Sequence, residues 1–180
     1  MYYSSHYKSP IGNILLASDE NSIIGLWIGE QKYIGNTRPK DMTEKDDLPI
    51  LREGKAWLDA YFTGKKPELS ELSLAPAGGE FKQQVWSILT EIPYGELTTY
   101  GNIAKEVAKR MGKVRMSPQA VGGAVGHNPI SIIIPCHRVV GTNGNLTGYA
   151  GGIEKKIKLL KHEGVDMTGL FVPKKGEGNA

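Results

Sequence analysis

The chemistry-bearing residues of this chain gather around its single cysteine, in the run Ile133-Ile134-Pro135-Cys136-His137-Arg138-Val139-Val140. A thiol is a weak nucleophile until it loses its proton, and cationic neighbours lower its pKa. His137 and Arg138 come directly after Cys136, so the pattern predicts an activated sulfur. His137 can also act as its base, directly or through one water, and Glu163 is a candidate to orient the imidazole. Such a Cys–His–carboxylate chain is the logic of an activated nucleophile. The same residues admit a plainer reading, because a cysteine in an apolar strand is often only a small hydrophobe. Metal binding is disfavoured: the one Cys and the four His, at 6, 127, 137 and 162, have no zinc-site spacing.

Other elements must hold these groups. Ile130–Val140 reads as a buried strand carrying the cysteine, Gly141–Gly152 as a glycine-rich loop, and Ile153–Glu163 as a last helix with Ile153, Ile157 and Leu160 on one side. Upstream, Phe81, Val85, Ile88, Leu89 and Ile92 mark a helix that Pro93-Tyr94-Gly95 breaks. Tyr100, Ile103, Ala104, Val107, Ala108 and Met111 mark a second. Ser117-Pro118 opens a third, running to His127, with serine as N-cap and almost only small side chains after Gln119. The second and third have helix-turn-helix spacing. Small residues suit a helix lying close to a sugar-phosphate backbone or in the minor groove. Lys105, Lys109, Arg110, Lys113 and Arg115 cluster on the second helix and the turn, where phosphate contacts would be independent of sequence. Two packed helices with a basic solvent face also occur in many other folds.

The first third reads as a small sheet and a helix. Ile11–Ala17 and Ser22–Ile28 form a hairpin about Ser18-Asp19-Glu20-Asn21, joined by Tyr2–Tyr7. Residues 34–47 read as a loop, and Ile50, Leu51, Trp57, Leu58, Tyr61 and Phe62 mark a helix opened by Pro49. The predicted organisation is an N-terminal domain over 1–78, a second over 79–173, and a loose tail over 174–180. With 180 residues, 39% hydrophobic and 23% charged, the chain is expected to fold rather than stay disordered. No apolar run is long enough for a membrane span, no signal peptide is visible, and one cysteine permits no internal disulfide, so a cytoplasmic, reducing setting is expected. A net charge of +3 allows a polyanionic partner without requiring one.

Taken together, the strings Ile92-Pro93-Tyr94-Gly95-Glu96, Thr99-Tyr100, Ala120-Val121-Gly122-Gly123-Ala124, Asn128-Pro129, Ile134-Pro135-Cys136-His137-Arg138-Val139-Val140 and Gly148-Tyr149-Ala150-Gly151-Gly152 resemble the O6-alkylguanine-DNA alkyltransferases (methylated-DNA–protein-cysteine methyltransferases). The match covers about Phe81–Gly164, and residues 1–75 match only in layout. The resemblance implies an α+β fold, with a small ribonuclease-H-like α/β domain before a winged-helix/helix-turn-helix domain. It implies irreversible, single-turnover transfer of an alkyl group from O6-alkylguanine in DNA, with O4-alkylthymine as a second substrate, onto Cys136. No cofactor is implied. The partner would be double-stranded DNA met through the minor groove by a monomer, with the target base flipped.

Residue by residue, the resemblance makes Cys136 the acceptor and His137 its base through a bridging water, with Glu163 behind it. Asn128 would hold the turn before the active-site strand. Tyr100 would help rotate the nucleotide and donate to N3 of the base. The carbonyls of Cys136 and Val139 would accept from the exocyclic amine, the amide of Ala150 would point at O6, and Tyr149 would wall the pocket with Val125 and Ser131. The predicted DNA-facing set is Gln119, Ala120, Gly122, Gly123, Lys113, Arg115 and Arg138. Many members carry an arginine where this chain has Gln119, which predicts weaker DNA binding, and the structural zinc site of some members lacks its cysteines here. Two alternatives stay open: a module that binds alkylguanine DNA without reacting, and a Cys–His hydrolase.

Overall fold

The computed structural model of the chain describes residues 1–29 and 38–173. Two compact units emerge: Met1–Gly78 together with Pro129–Ile133, and Gly79–Asn128 together with the chain from Ile134. A purely sequential split at residue 78 therefore misses the return of Pro129–Ile133 to the first unit.

In the first unit β1 (Tyr3–Ser9), β2 (Gly12–Ser18), β3 (Ile23–Ile28) and β4 (Thr43–Glu44) form a sheet of order β3-β2-β1-β4. The pairs β1–β2 and β2–β3 are antiparallel, and β4 runs parallel to β1. The β2–β3 turn closes because Asp19 Oδ1 accepts from the amides of Asn21 (2.8 Å) and Ser22 (2.7 Å). Helix α1 (Pro49–Phe62) starts at its proline and turns Leu51, Trp57, Leu58 and Tyr61 onto the sheet. The stretch expected as a loop over 34–47 contains β4. Its residues 34–37 lie outside the described residues, as does the tail expected over 174–180.

The run expected as one strand from Ile130 to Val140 is not one. Ile130 bridges Leu26 of β3, where Leu26 N donates to Pro129 O (2.8 Å) and Ser131 N donates to Leu26 O (3.2 Å). Ile132 then sits at φ 70°, a left-handed conformation that a β-branched side chain rarely adopts and that costs about 1–3 kcal/mol. Pro129 and Pro135 lack the N–H groups a ladder needs. Past Pro135 the chain makes a 3-10 turn, Cys136–Arg138, and only then a short strand, β6 (Val139–Val140).

In the second unit α2 (Glu80–Leu89), α3 (Tyr100–Arg110) and α4 (Pro118–Gly126) pack on one another through Val85, Trp86, Ile103, Val107, Val121 and Val125. Both helices of the pair are capped as their sequences require: Thr99 Oγ1 accepts from Asn102 N, and Ser117 Oγ accepts from Gln119 N and Ala120 N. Trp86 Nε1 donates to Ala124 O (2.9 Å), fixing α4 against α2. Strand β5 (Thr98–Thr99) pairs in parallel with β6, so the start of α3 is held beside the end of the cysteine turn. Helix α5 (Ile153–His162) closes the unit. Among the described residues no helix is long and apolar enough to cross a membrane.

Candidate active site

Cys136 opens the 3-10 turn and is buried. Asn128 holds the approach to it: Nδ2 donates to Ile134 O (2.8 Å), and the same side chain is hydrogen-bonded to the sulfur. The buried position has an electrostatic consequence opposite to the simple expectation. Burial pushes the Cys136 thiol up, and the Asn128 hydrogen bond and the Lys156 charge only partly offset this. The two cationic neighbours in sequence do not do what their proximity suggested: Arg138 is engaged by Glu163, and burial disfavours the charged form of His137.

Glu163, at the end of α5, is a buried carboxylate with four donors. Its Oε2 accepts from His137 Nε2 (2.5 Å) and Arg138 Nη2 (3.2 Å), and its Oε1 from Arg138 Nε (2.8 Å) and Gly95 N (3.0 Å). Burial alone would raise its pKa, but the hydrogen bonds and charges of His137 and Arg138 outweigh that and hold it well below the usual carboxylate range. An ionised carboxylate only accepts, so the proton of a neutral His137 sits on Nε2 and Nδ1 carries the free lone pair. That Nδ1 is buried and meets no hydrogen-bond partner among the described residues. Burial drives the His137 pKa down against the pull of Glu163, with the Arg138 and Lys156 charges adding to the lowering. Burial thus favours the neutral form of both groups, the Cys136 thiol and the His137 imidazole.

Arg138, expected to face DNA, is buried instead. Besides Glu163 its guanidinium donates to Ile92 O (2.6 Å) and lies over the Tyr94 ring, so its charge is spent on Glu163 rather than on phosphate. The Pro93-Tyr94-Gly95 break gains a purpose here. Gly95 takes φ 80°, and a Cβ there would stand 3.1 Å from Glu163 O, so only glycine brings its amide to the carboxylate.

Lys156 is the functional group that the sequence reading missed. It is fully buried, donating from Nζ to Val139 O (2.6 Å) and Thr147 O (3.1 Å), close enough to Cys136 for their charges to interact. Burial lowers its pKa to about 8. The signal was present: 156 falls at i+3 from Ile153 and one before Ile157, on the apolar stripe of α5, where a solvated lysine has no place. Thr147 O also accepts from Tyr100 Oη (3.1 Å), so Lys156 and the first residue of α3 meet on one carbonyl. Burial raises the Tyr100 hydroxyl to about 12, with the nearby Cys136 sulfur adding to it, and the hydroxyl remains a donor at neutral pH.

A groove of about 620 Å³ opens beside Tyr100, lined by Gly101, Pro118, Gln119 and Gly122 from the helix pair and by Gly141–Asn143, Asn145, Thr147 and Gly148 of the loop after β6. Gln119, Ala120 and Gly123 are exposed and Gly122 half-buried, so the small-residue face of α4 looks outward. Val125, Val139 and Tyr149 are buried and Ala150 half-buried, and none of the four lines this groove. Ser131, expected at the pocket wall, belongs to the first unit, bonded to Leu26. Lys113 and Arg115 are exposed on the turn before α4.

Comparison with known proteins matches both units. Residues 80–165 fit the model of the 6-O-methylguanine DNA methyltransferase DNA-binding domain, and residues 1–76 that of its ribonuclease-like domain. The chain belongs to this methyltransferase family. A methylated-DNA–protein-cysteine methyltransferase from Methanosarcina acetivorans is 46% identical, over 91% of this chain and 99% of its own length. One from Haemophilus influenzae is 43% identical, over 89% and 86%. Among solved structures, Mycobacterium tuberculosis O6-methylguanine methyltransferase superposes with TM-score 0.76 at 37% identity, covering 96% of this chain and 97% of that one. The M. tuberculosis protein solved in complex with DNA gives 0.75 at 39%, covering 90% and 91%. The family match extends to the first unit, where residue patterns alone suggested only a layout.

Proposed function

We propose that this methyltransferase-family member repairs DNA by taking the alkyl group of O6-alkylguanine onto Cys136, once per molecule. The observation that carries the assignment is the relay: Glu163 fixes the Nε2 proton of His137, which leaves Nδ1 as a buried base on the residue next to the only cysteine.

In this reading His137 Nδ1 takes the thiol proton, directly or through one water, as the alkylated base enters. The sulfur attacks the alkyl carbon in line with the C–O6 bond. That bond breaks with its electron pair going to O6, and the proton released by the thiol ends on the departing guanine. Charge grows on the leaving base, so donors aimed at it contribute most. The Tyr100 hydroxyl, now on Thr147 O, exchanges that carbonyl for N3, and the Ala150 amide meets O6. The carbonyls of Cys136 and Val139 each already accept one bond, from Val139 N and from Lys156, and retain a lone pair for the exocyclic amine. Lys156 favours the thiolate as it forms. The thioether has no route back, so turnover stops at one.

O6 lies inside the stack of a duplex, which requires the base to be flipped, at a cost of a few kcal/mol that damage reduces. The outward face of α4, with Gln119, Ala120, Gly122 and Gly123, suits close approach in the minor groove, and Lys113 and Arg115 suit phosphates. A monomer in the reducing cytoplasm fits a protein whose nucleophile is a free thiol. The test is a single-turnover reaction with duplex DNA carrying one O6-methylguanine. Guanine restored in equimolar amount to protein is the expected result. Tight binding with the lesion intact would identify a non-reacting reader, and repeated turnover on esters a hydrolase.

A further inference from the structure

The polar wall of the groove beside Tyr100 is made of amides and hydroxyls. Gln119 of α4 and Thr142, Asn143 and Asn145 of the loop after β6 line it, and among the described residues that do, none is charged. Phosphates are held mostly by cations and by N–H and O–H donors, whereas base edges call for donors and acceptors together, which carboxamides supply. Asn145 stands out among these residues. It is 8% exposed, and its Oδ1 is closed to solvent with no hydrogen-bond partner among the described residues. A buried amide oxygen without a donor is destabilising, and such groups are few in folded proteins. The backbone around it is held in place. Asn145 O accepts from Gly141 N (2.9 Å), Leu146 N donates to Phe171 O (2.8 Å) and Phe171 N donates to Gly144 O (3.0 Å). A Cβ at Gly141 would stand 3.0 Å from Asn145 Cβ, so glycine there leaves the side chain its place in the wall.

Resting on the reading that duplex DNA is met through the minor groove, we propose that Asn145 reads the base pair next to the lesion and favours G·C there. The minor groove offers one donor, the N2 amine of guanine, while A·T pairs present acceptors only. Guanine N2 and N3 stand side by side on that edge. A carboxamide matches both: its oxygen accepts from N2 and its nitrogen donates to N3. The last side-chain torsion of asparagine is soft, so a turn about it brings Oδ1 to the groove. Against an A·T pair Nδ2 still finds N3 of adenine or O2 of thymine, but Oδ1 stays unpaired. A site built around a polar group rejects the partner that leaves it unpaired. Tyr100, on the same groove, is assigned to N3 of the target base, so the pair that Asn145 reaches is a neighbour of the target. Asn145 sets the preference for sequence context and takes no part in the transfer itself.

The test changes single bases in a duplex carrying one O6-methylguanine and follows the single-turnover transfer rate of the full chain at sub-saturating concentration. Replacing a flanking G·C pair by inosine·C removes only the N2 amine. At one of the two neighbours the rate then falls about tenfold, the scale of one good bidentate contact. Replacing A·T by 2,6-diaminopurine·T at that neighbour adds the amine and raises the rate to a similar extent. Both effects run against duplex stability, since inosine weakens the pair beside the target and eases flipping, while diaminopurine strengthens it. In Asn145→Leu, of similar shape but without hydrogen-bonding groups, the ratio of the guanine to the inosine rate falls to one or below. The base changes in the wild type decide the matter even if that variant fails to fold. Equal wild-type rates on guanine and inosine at both neighbours, faster transfer beside inosine, or a ratio that survives in Asn145→Leu would overturn the proposal. A wild-type chain that neither binds nor repairs any of these duplexes would instead remove the DNA reading beneath it.

Discussion

At the residue scale the site turns on how two buried charges are compensated. Glu163 is shared by His137, Arg138 and Gly95, and its ionised form is the one the fold stabilises. A carboxyl group with a lowered folded-state pKa adds stability that is present above the ordinary carboxylate range and is lost as pH falls through it, because the unfolded chain binds the proton first. Thermal stability measured across pH should therefore drop below about pH 5 in the wild type, and more shallowly in Glu163→Gln. That variant also loses control of the His137 tautomer, so its transfer rate should fall, on the order of 10²-fold or more. Lys156→Met keeps the packing volume but leaves the carbonyls of Val139 and Thr147 without their ammonium. Alkylation of Cys136 by a small thiol reagent, tracked against pH, should then titrate at higher pH, because the Lys156 charge that favours the thiolate is gone. An unmoved titration would show that Lys156 only shapes the loop. Tyr100→Phe should transfer roughly 10²-fold more slowly with a modest loss of DNA affinity, the size expected for one donor lost at a developing anion.

Elements decide what single residues can reach. The His137–Glu163 pair was legible from types and spacing because Glu163 ends a helix with a clear apolar stripe. Two charged positions were misjudged: Arg138 was expected to face DNA, and Lys156 was given no role. Arg138 and Lys156 are both buried, each bound to acceptors brought from distant chain segments, and no local pattern announces such partners. The strand expected over Ile130–Val140 failed similarly. Its β-branched run is real, but its prolines and the φ of Ile132 divide it between two units. The loop that lines the Tyr100 groove has its own anchor. Phe171 N donates to Gly144 O (3.0 Å), and Leu146 N donates to Phe171 O (2.8 Å). Gly144 has φ 89°, and a Cβ there would stand 2.2 Å from Gly169 O. Gly144→Ala must displace that pairing, so a lowered melting temperature and slower transfer are expected, measured by thermal unfolding and single-turnover kinetics. On α4, Gln119→Arg should tighten duplex binding by adding a cation to an exposed position, and equal affinity would remove the role given to that glutamine.

For the whole molecule, the second unit holds both the proposed chemistry and the proposed DNA surface. Helices α3 and α4 carry Tyr100 and the small-residue face, and the 3-10 turn carries Cys136. Hairpin, helices and caps were readable because each obeys local rules, while the fold class came from the resemblance carried by the motif strings. The return of Pro129–Ile133 to the first unit was not, since Ile130 pairs with Leu26, far away in the chain. Everything else rests on Cys136 being the destination of the alkyl group. Peptide mass spectrometry after mixing the chain with duplex DNA containing one O6-methylguanine tests it directly. The expected result is one methylene mass added to the peptide that holds Cys136, and none in Cys136→Ala bound to the same DNA. A methyl group found on another residue, or transfer persisting in Cys136→Ala, would contradict it.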